Sequence, residues 1–181
     1  MARKEHLKSM TKKKKKSVYE IMIEYGLPED MAKKGRASLR YRRPLFKGIA
    51  WYWLSQYVRY RDVYKFGTCI YCGRPITLKT SDAAHYIPVS NTSHKLAFDA
   101  DNIHASCSWC NRYEPNHLLF RQTLKKRYGE EWLKNLEERF LKKEGYTMSA
   151  EQNFKAFANK YKRLTEEIIK KYEGKRFPNN I

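Results

Sequence analysis

Acidic residues are scarce in this chain. Of its 181 residues, 19 are Asp or Glu against 38 Lys or Arg, a formal net charge of +19. Such an excess points to a polyanionic partner, with nucleic acid ahead of an anionic membrane surface and a merely basic, solvated surface as the plain alternative. Long apolar runs are missing too. Nothing approaches the ~20 residues needed to span a bilayer, so no membrane partner is expected. The lysines after Met1 lead into no apolar stretch and no small-residue cleavage site, so the expected compartment is the reducing cytoplasm. Cysteine is limited to four residues, and in a reducing compartment that number favours a metal over disulfides. Internal repeats are absent. Apolar residues are not: 41% are hydrophobic and 14% aromatic, enough to build a core and to exclude a compositionally disordered chain.

The basic charge is concentrated near the start. Residues 1–17 are polar and contain Lys12, Lys13, Lys14, Lys15 and Lys16, a basic arm that either touches phosphates or acts as a solubilising tail. A short apolar-periodic stretch runs from Val18 to Leu27, and a second basic stretch holds Arg36, Arg40, Arg42 and Arg43. Pro44 opens a helical pattern to about Lys65, with Leu45, Ile49, Trp53, Tyr57 and Tyr60 at helical spacing. This stripe reads as core, although its aromatics beside Arg59 and Arg61 could stack on bases. Two helical patterns close the chain. One spans about His117 to Lys143, with a break expected near Gly129. The other follows a capping-box-like Ser149–Gln152 and carries Phe154, Phe157, Tyr161, Leu164, Ile168 and Tyr172. That stripe packs on the domain or pairs with a second copy in a homodimer.

All four cysteines lie between, as Cys69-Ile-Tyr-Cys72 and Cys107-Ser-Trp-Cys110. Two residues between thiolates let both reach one ion from a tight turn, and two such pairs complete a tetrahedral zinc shell. Four thiolates leave no place for water, so this zinc is expected to be structural. A redox Cys-x-x-Cys is the weaker alternative, because there are two pairs and no clear βαβ context. The pairs are separated by the 34 residues 73–106, more than the roughly 15–20 of common four-cysteine fingers, so the insert is expected to carry chemistry.

The insert holds Ser81-Asp-Ala-Ala-His85-Tyr and Asp101-Asn-Ile-His104, and Asn111-Arg-Tyr-Glu114 follows the last cysteine. Phosphodiester hydrolysis needs a base to deprotonate water, which a neutral imidazole supplies near physiological pH. It also needs a hard cation on oxygen ligands to stabilise charge on the phosphoryl group. His85 is the expected base, with Asp82, Asn111 and Glu114 as candidate ligands for Mg²⁺ or Mn²⁺. Asn111 and Glu114 would share a helical face, within the limit set by Pro115. Asn102 and His104 read as hydrogen-bonding residues that hold the insert. Singly, each of these residues has a bland alternative: a core histidine, a turn-capping Asp82, a solvated Glu114.

These motifs resemble the lambdoid phage NinG (Rap) family of recombination proteins. The likeness rests on Cys69-x-x-Cys-Gly, Asp82-Ala-Ala-His-Tyr and Asn102-Ile-His-x-x-Cys-x-x-Cys-Asn111. It extends to Tyr57-Val-Arg-Tyr-Arg-Asp62, Phe120-Arg121 and Gly129-Glu-Glu. It spans about residues 51–172 and is expected to leave residues 1–45 outside. The Cys110-Asn111-x-x-Glu114 string is also similar to phage endonuclease VII. Two positions depart from the pattern: Ala84 precedes the base where many His-Asn-His nucleases have an acidic residue or His, and Glu114 stands where the NinG pattern has Lys.

The resemblance implies an α+β fold with a zinc-stabilised treble-clef, ββα-metal (His-Asn-His-like) core flanked by several α-helices. It implies an endonuclease that cuts branched DNA in the cytoplasm of an infected bacterial host. The implied catalytic set is His85, Asn102 and Glu114, with Asp82 and Asn111 on the catalytic metal and Arg112 joining Arg40, Arg42, Arg43 and the lysine arm on DNA. The expected organisation is a basic arm with a short helix (1–43), a leading helix (44–66), the zinc-bound core (67–128) and a helical region (129–181).

Overall fold

The computed structural model describes residues 15–42, 44–90, 96–142 and 151–174. Its order is α1 (Val18–Glu24), α2 (Glu29–Lys34), α3 (Leu45–Lys65), β1 (Ser81–His85), β2 (Ile103–Cys107), α4 (Ser108–Arg112), α5 (His117–Tyr128), α6 (Glu130–Leu141) and α7 (Glu151–Tyr172). The fold is α+β, with many helices around one two-stranded antiparallel sheet. No helix among the described residues is long and apolar enough to cross a membrane.

Local chemistry explains the boundaries. Ser17 and Glu20 form a reciprocal capping box that starts α1. Pro44 precedes α3, where its missing N–H costs nothing. Gly129, at φ 95°, divides α5 from α6 where the break was expected. Gly48 lets α3 approach the preceding segment, because a Cβ there would collide with the Tyr41 carbonyl. The capping-box-like Ser149 lies outside the described residues.

Helix α3 is the central element. Its Leu45, Ile49, Trp53, Leu54 and Val58 share one apolar cluster with Met22, Leu27, Ala32 and Leu39 from the first two helices and with Phe154, Phe157 and Tyr161 of α7. The stripe on α7 therefore packs on the domain, and this face is not free for a dimer seam. Residues 18–42 are folded against the core and not an arm alone. A second cluster joins Val63 to Ile70, Ile76, Phe120, Leu124 and Leu133. Ala83 belongs to the first cluster and Ala84 to the second, as successive strand residues pointing to opposite faces require.

Arg61 and Asp62 join α3 to β2. The Asp62 carboxylate is fully buried within a helix. It accepts the Ala105 backbone N–H at 2.8 Å and a hydrogen bond from Arg61 Nε at 2.7 Å. Arg61 also donates to the carbonyls of Ala100 and Ile103 at 2.9 and 2.8 Å. These bonds occupy Arg61, and Arg59 is bound to Ser81 and Leu78, so neither is available to sit on DNA bases. His104 is fully buried; burial lowers its pKa, so the ring is neutral. Its Nε2–H donates to the Asp101 carbonyl at 3.0 Å, and Nδ1 accepts from Arg61 at 3.1 Å. The guanidinium thus mediates the 3.3 Å approach of Nδ1 to Asp62. Burial alone would raise the Asp62 pKa, but the Arg61 guanidinium outweighs it and holds the carboxyl well below its usual range.

Removing one member strands the others without water. Asp62→Ala is expected to cost about 3–5 kcal/mol, measured by chemical denaturation. A depressed carboxyl pKa stabilises the fold above the unfolded value of roughly 3.9 and loses that contribution as pH falls below it. The wild type should therefore lose stability over that acid range more steeply than Asp62→Ala.

Candidate metal centre

The segment before Cys69 turns back on itself through a Thr68–Pro75 bridge. The Cys69 N–H bonds the Arg74 carbonyl at 2.8 Å, and Gly73, at φ 72°, closes the turn onto the Cys69 carbonyl at 3.0 Å. This brings Cys69 and Cys72 to one side. Cys107 ends β2 and caps α4, whose first turn carries Cys110. The Ile70 N–H reaches the Ala105 carbonyl at 3.1 Å and fastens the turn to the strand.

The four Sγ atoms lie within 4.8 Å of one another, with Cys72 and Cys107 4.0 Å apart. Thiolates at ~2.3 Å from a tetrahedral zinc are about 3.8 Å apart, so the set matches a metal shell and not a disulfide. Backbone N–H groups already face the sulfurs: Cys107 N–H donates to Cys69 Sγ at 3.2 Å and Cys110 N–H to Cys107 Sγ at 3.5 Å. Burial pushes the Cys69 and Cys110 thiols up. A bound dication would offset that penalty and favour the thiolates. Four cysteines so placed could hold a metal such as zinc. Among the described residues no other cluster of three or more His, Cys, Asp or Glu is so placed.

A cleft of about 280 Å³ opens nearby, lined by Arg40, Trp51, Ser55, Asp82, Ala83, Asn111 and Arg112. Asp82 comes from β1, and Asn111 and Arg112 from α4. The strand register pairs Asp82 with Ser106, just before the cysteine turn into the helix. Asn111 Nδ2 donates to Asp82 Oδ2 at 3.4 Å, and Arg112 Nε lies 3.4 Å from the same oxygen. Arg40 sits over the Trp51 ring at 4.9 Å. The cleft therefore combines one carboxylate, one amide and two guanidinium groups.

His85 ends the same strand. Its ring stacks on Trp51, with centroids 5.1 Å apart and planes 13° apart, and Nε2 lies 3.0 Å from the Ala97 carbonyl. A carbonyl only accepts, so Nε2 carries the proton and the Nδ1 lone pair is left for other work. Burial, with the Arg40 charge adding to it against the Ala97 bond, lowers the His85 pKa to about 4, which keeps the imidazole neutral at pH 7.

His85 does not itself line the cleft; it backs the cleft wall formed by Trp51, and the other expected residues lie elsewhere. Asn102 is fully buried; it receives the Ile87 N–H at 2.8 Å and donates to the Ile87 and Leu96 carbonyls at 3.0 and 3.1 Å. Its amide holds the insert closed and does not reach the cleft, which corrects its placement in the catalytic set. Helix α4 ends at Arg112, so Glu114 does not share a helical face with Asn111. Glu114 lines a separate cleft beside Cys72 and Cys110 instead. Arg42 is exposed, Lys16 pairs with Glu24 at 2.8 Å, and Lys15 lines a cleft beside α1. Lys12, Lys13, Lys14 and Arg43 lie outside the described residues. Sequence reasoning missed Trp51, whose signal was weak: an aromatic beside the stripe looks like any other core residue.

The family model described as "Bacteriophage Lambda NinG protein" matches residues 2–171. The chain belongs to the NinG family. The match overturns the expectation that residues 1–45 stand outside it. Proteins ninG of Escherichia phage 933W and Enterobacteria phage VT2-Sa are each 33% identical over 94 residues, covering 48% of this chain and 45% of theirs. The chain thus spans about half the length of the curated relatives it matches. No solved structure matches it.

For a NinG-family chain with this cysteine set, purified protein is expected to carry one zinc per chain, read by elemental analysis. Cys110→Ser should abolish stoichiometric zinc and lower the melting temperature. In the parent protein a strong chelator should do the same, because binding energy at such a site is folding energy, ~10–16 kcal/mol in small zinc peptides.

Proposed function

We propose that this chain is a metal-dependent, structure-specific endonuclease of the His-Asn-His type, hydrolysing phosphodiester bonds in branched DNA such as four-way recombination junctions and flaps. One observation carries the reading. A single short strand carries a neutral histidine stacked on Trp51, itself a wall of the cleft, and a carboxylate that meets an amide within that guanidinium-edged cleft. Membership of the NinG family and the +19 charge support branched recombination DNA as the substrate and the infected host's cytoplasm as the location.

In this reading the cysteine-bound zinc is structural, because four thiolates fill its shell. It fixes β2 and α4 so that the hairpin, the zinc turn and α4 form a treble-clef-like frame. Asp82 and Asn111 are oxygen-donor types that suit Mg²⁺ or Mn²⁺, once the Asn111 amide turns its oxygen toward the cleft. An ion held there would supply Lewis-acid stabilisation to the phosphoryl and leaving oxygens. The remaining steps belong to the protein's own groups. His85 Nδ1 takes a proton from the attacking water, while Ala97 and Trp51 fix the ring. Arg112 and Arg40 offset the charge of the approaching phosphate.

A panel of four-way junction, flap and linear duplex DNA with added Mg²⁺ tests the reading. Wild type is expected to cut the branched substrates, and His85→Ala to lose about 10²–10⁴-fold of that rate. Identical, metal-independent results for the two proteins would leave a zinc module that binds nucleic acid without cutting it. A linear cut with no preference for branches would make it a duplex nuclease. The base must be neutral, so activity is lost as pH falls through its pKa. The acid limb of the rate profile is expected near pH 4 and not near the ordinary histidine value of roughly 6.5.

A further inference from the structure

Helix α4 buries Cys110 on one side and leaves two aromatics in water on another. Trp109 is 53% exposed and Tyr113 is 67% exposed, and their rings lie 5.0 Å apart at 44°. Large aromatics of a folded chain ordinarily recover their apolar area from a core or an interface. Neither belongs to an apolar cluster of the fold, and Leu118, on the next helix, is 65% exposed. The pair is separated only by Cys110, Asn111 and Arg112, the last two of which line the cleft beside Asp82.

We infer that Trp109 and Tyr113 form a stacking platform for an unstacked base at a DNA branch point, and so act as specificity-determining residues of the proposed nuclease. The inference rests on the nucleic-acid reading of the adjoining cleft. Three arguments favour a base over other occupants. The two aromatics bracket Arg112 in the chain, whose side chain is 61% exposed, and a guanidinium so near suits a phosphate-linked ring and not a neutral apolar peptide. A second copy would bring a chain of charge +19 against itself, Arg112 facing like charge. Intact duplex hides its base faces, whereas gaps, flaps and junction centres offer them, and stacking on an aromatic needs no particular sequence.

The helix also sets a distance. Asn111 is two residues from both aromatics, about 200° around the helix, so the platform and the Asp82 side lie on nearly opposite faces of α4. A helix with side chains is about 10–12 Å across. At roughly 3.4 Å per nucleotide along a strand, that separation is about three nucleotides. The stacked base is therefore expected about three nucleotides from the phosphate held at Asp82.

The test measures DNA affinity of zinc-loaded full-length protein by fluorescence anisotropy, without added Mg²⁺ or Mn²⁺. The probes are a perfect duplex, the same duplex with three unpaired nucleotides, and a four-way junction. Trp109→Ala with Tyr113→Ala is expected to weaken binding to the two interrupted probes by about 5- to 100-fold and to leave duplex affinity unchanged. Trp109→Phe with Tyr113→Phe should restore it, while zinc content and melting temperature stay at wild-type values in both. Equal losses on all probes, or no loss on any, would overturn the proposal. So would a wild-type dimer in sedimentation that the alanine pair dissociates. If wild type cuts none of the probes with Mg²⁺ yet the aromatic-dependent preference persists, the platform stands and the nuclease reading falls.

Discussion

A carboxylate with no access to water organises this protein. Asp62 sits inside a helix, where an acidic residue ordinarily faces solvent, and its charge is held by Arg61 and the Ala105 backbone N–H. Once there, it dictates its surroundings. Arg61 must reach inward, and its other N–H groups then find carbonyls on the insert and on β2. His104 stays neutral, because burial penalises its charged form more than the nearby carboxylate favours it. The strand is thereby set against α3 in one register, and a slip of one residue would take the Ala105 N–H away from the carboxylate and turn every side chain of β2 over.

The cysteine cluster depends on that register. Cys107 follows Ala105 by two residues, and the same strand accepts the Ile70 N–H of the cysteine turn. The far side of the insert is tied down separately: Arg139 bonds Asp99 and Asp101 at 2.9 and 3.1 Å, and the Tyr86 hydroxyl donates to Glu137 at 2.6 Å. The hairpin is thus clamped by α3 on one face and by α6 at the end where its connecting segment lies. Its two site-bearing residues, Asp82 and His85, inherit their positions from contacts made by neighbours that touch no substrate.

The sequence made the helices legible because their apolar spacing and their stops, Pro44 and Gly129, are local signals. The cysteine pairs were legible for the same reason: ligand spacing is written in the chain. Asp82 beside Asn111 was readable as a pair of oxygen donors, but their meeting depends on a strand register that no local pattern encodes. Glu114 was misplaced because helix α4 stops at Arg112, two residues short of Glu114. Asn102 was legible from its residues as a group that holds the insert, and only the family likeness drew it into the catalytic set. The Arg61–Asp62 pair was visible only as two charges on a helix. Its burial follows from what α3 packs against, which is tertiary information.

The pairing of α3 with α7 has a consequence for assembly. The cysteine turn and its hairpin close a loop of a few dozen residues, whereas α7 meets a helix that left the ribosome about a hundred residues before it. Closing the longer loop costs only a little more entropy, but it waits on synthesis. Until α7 arrives, Tyr57 on the flank of α3 lacks the Tyr161 ring that covers it. The cysteine-bearing half can thus be native while the other half is still soft, and the finished protein appears only when its last long helix shuts over its first.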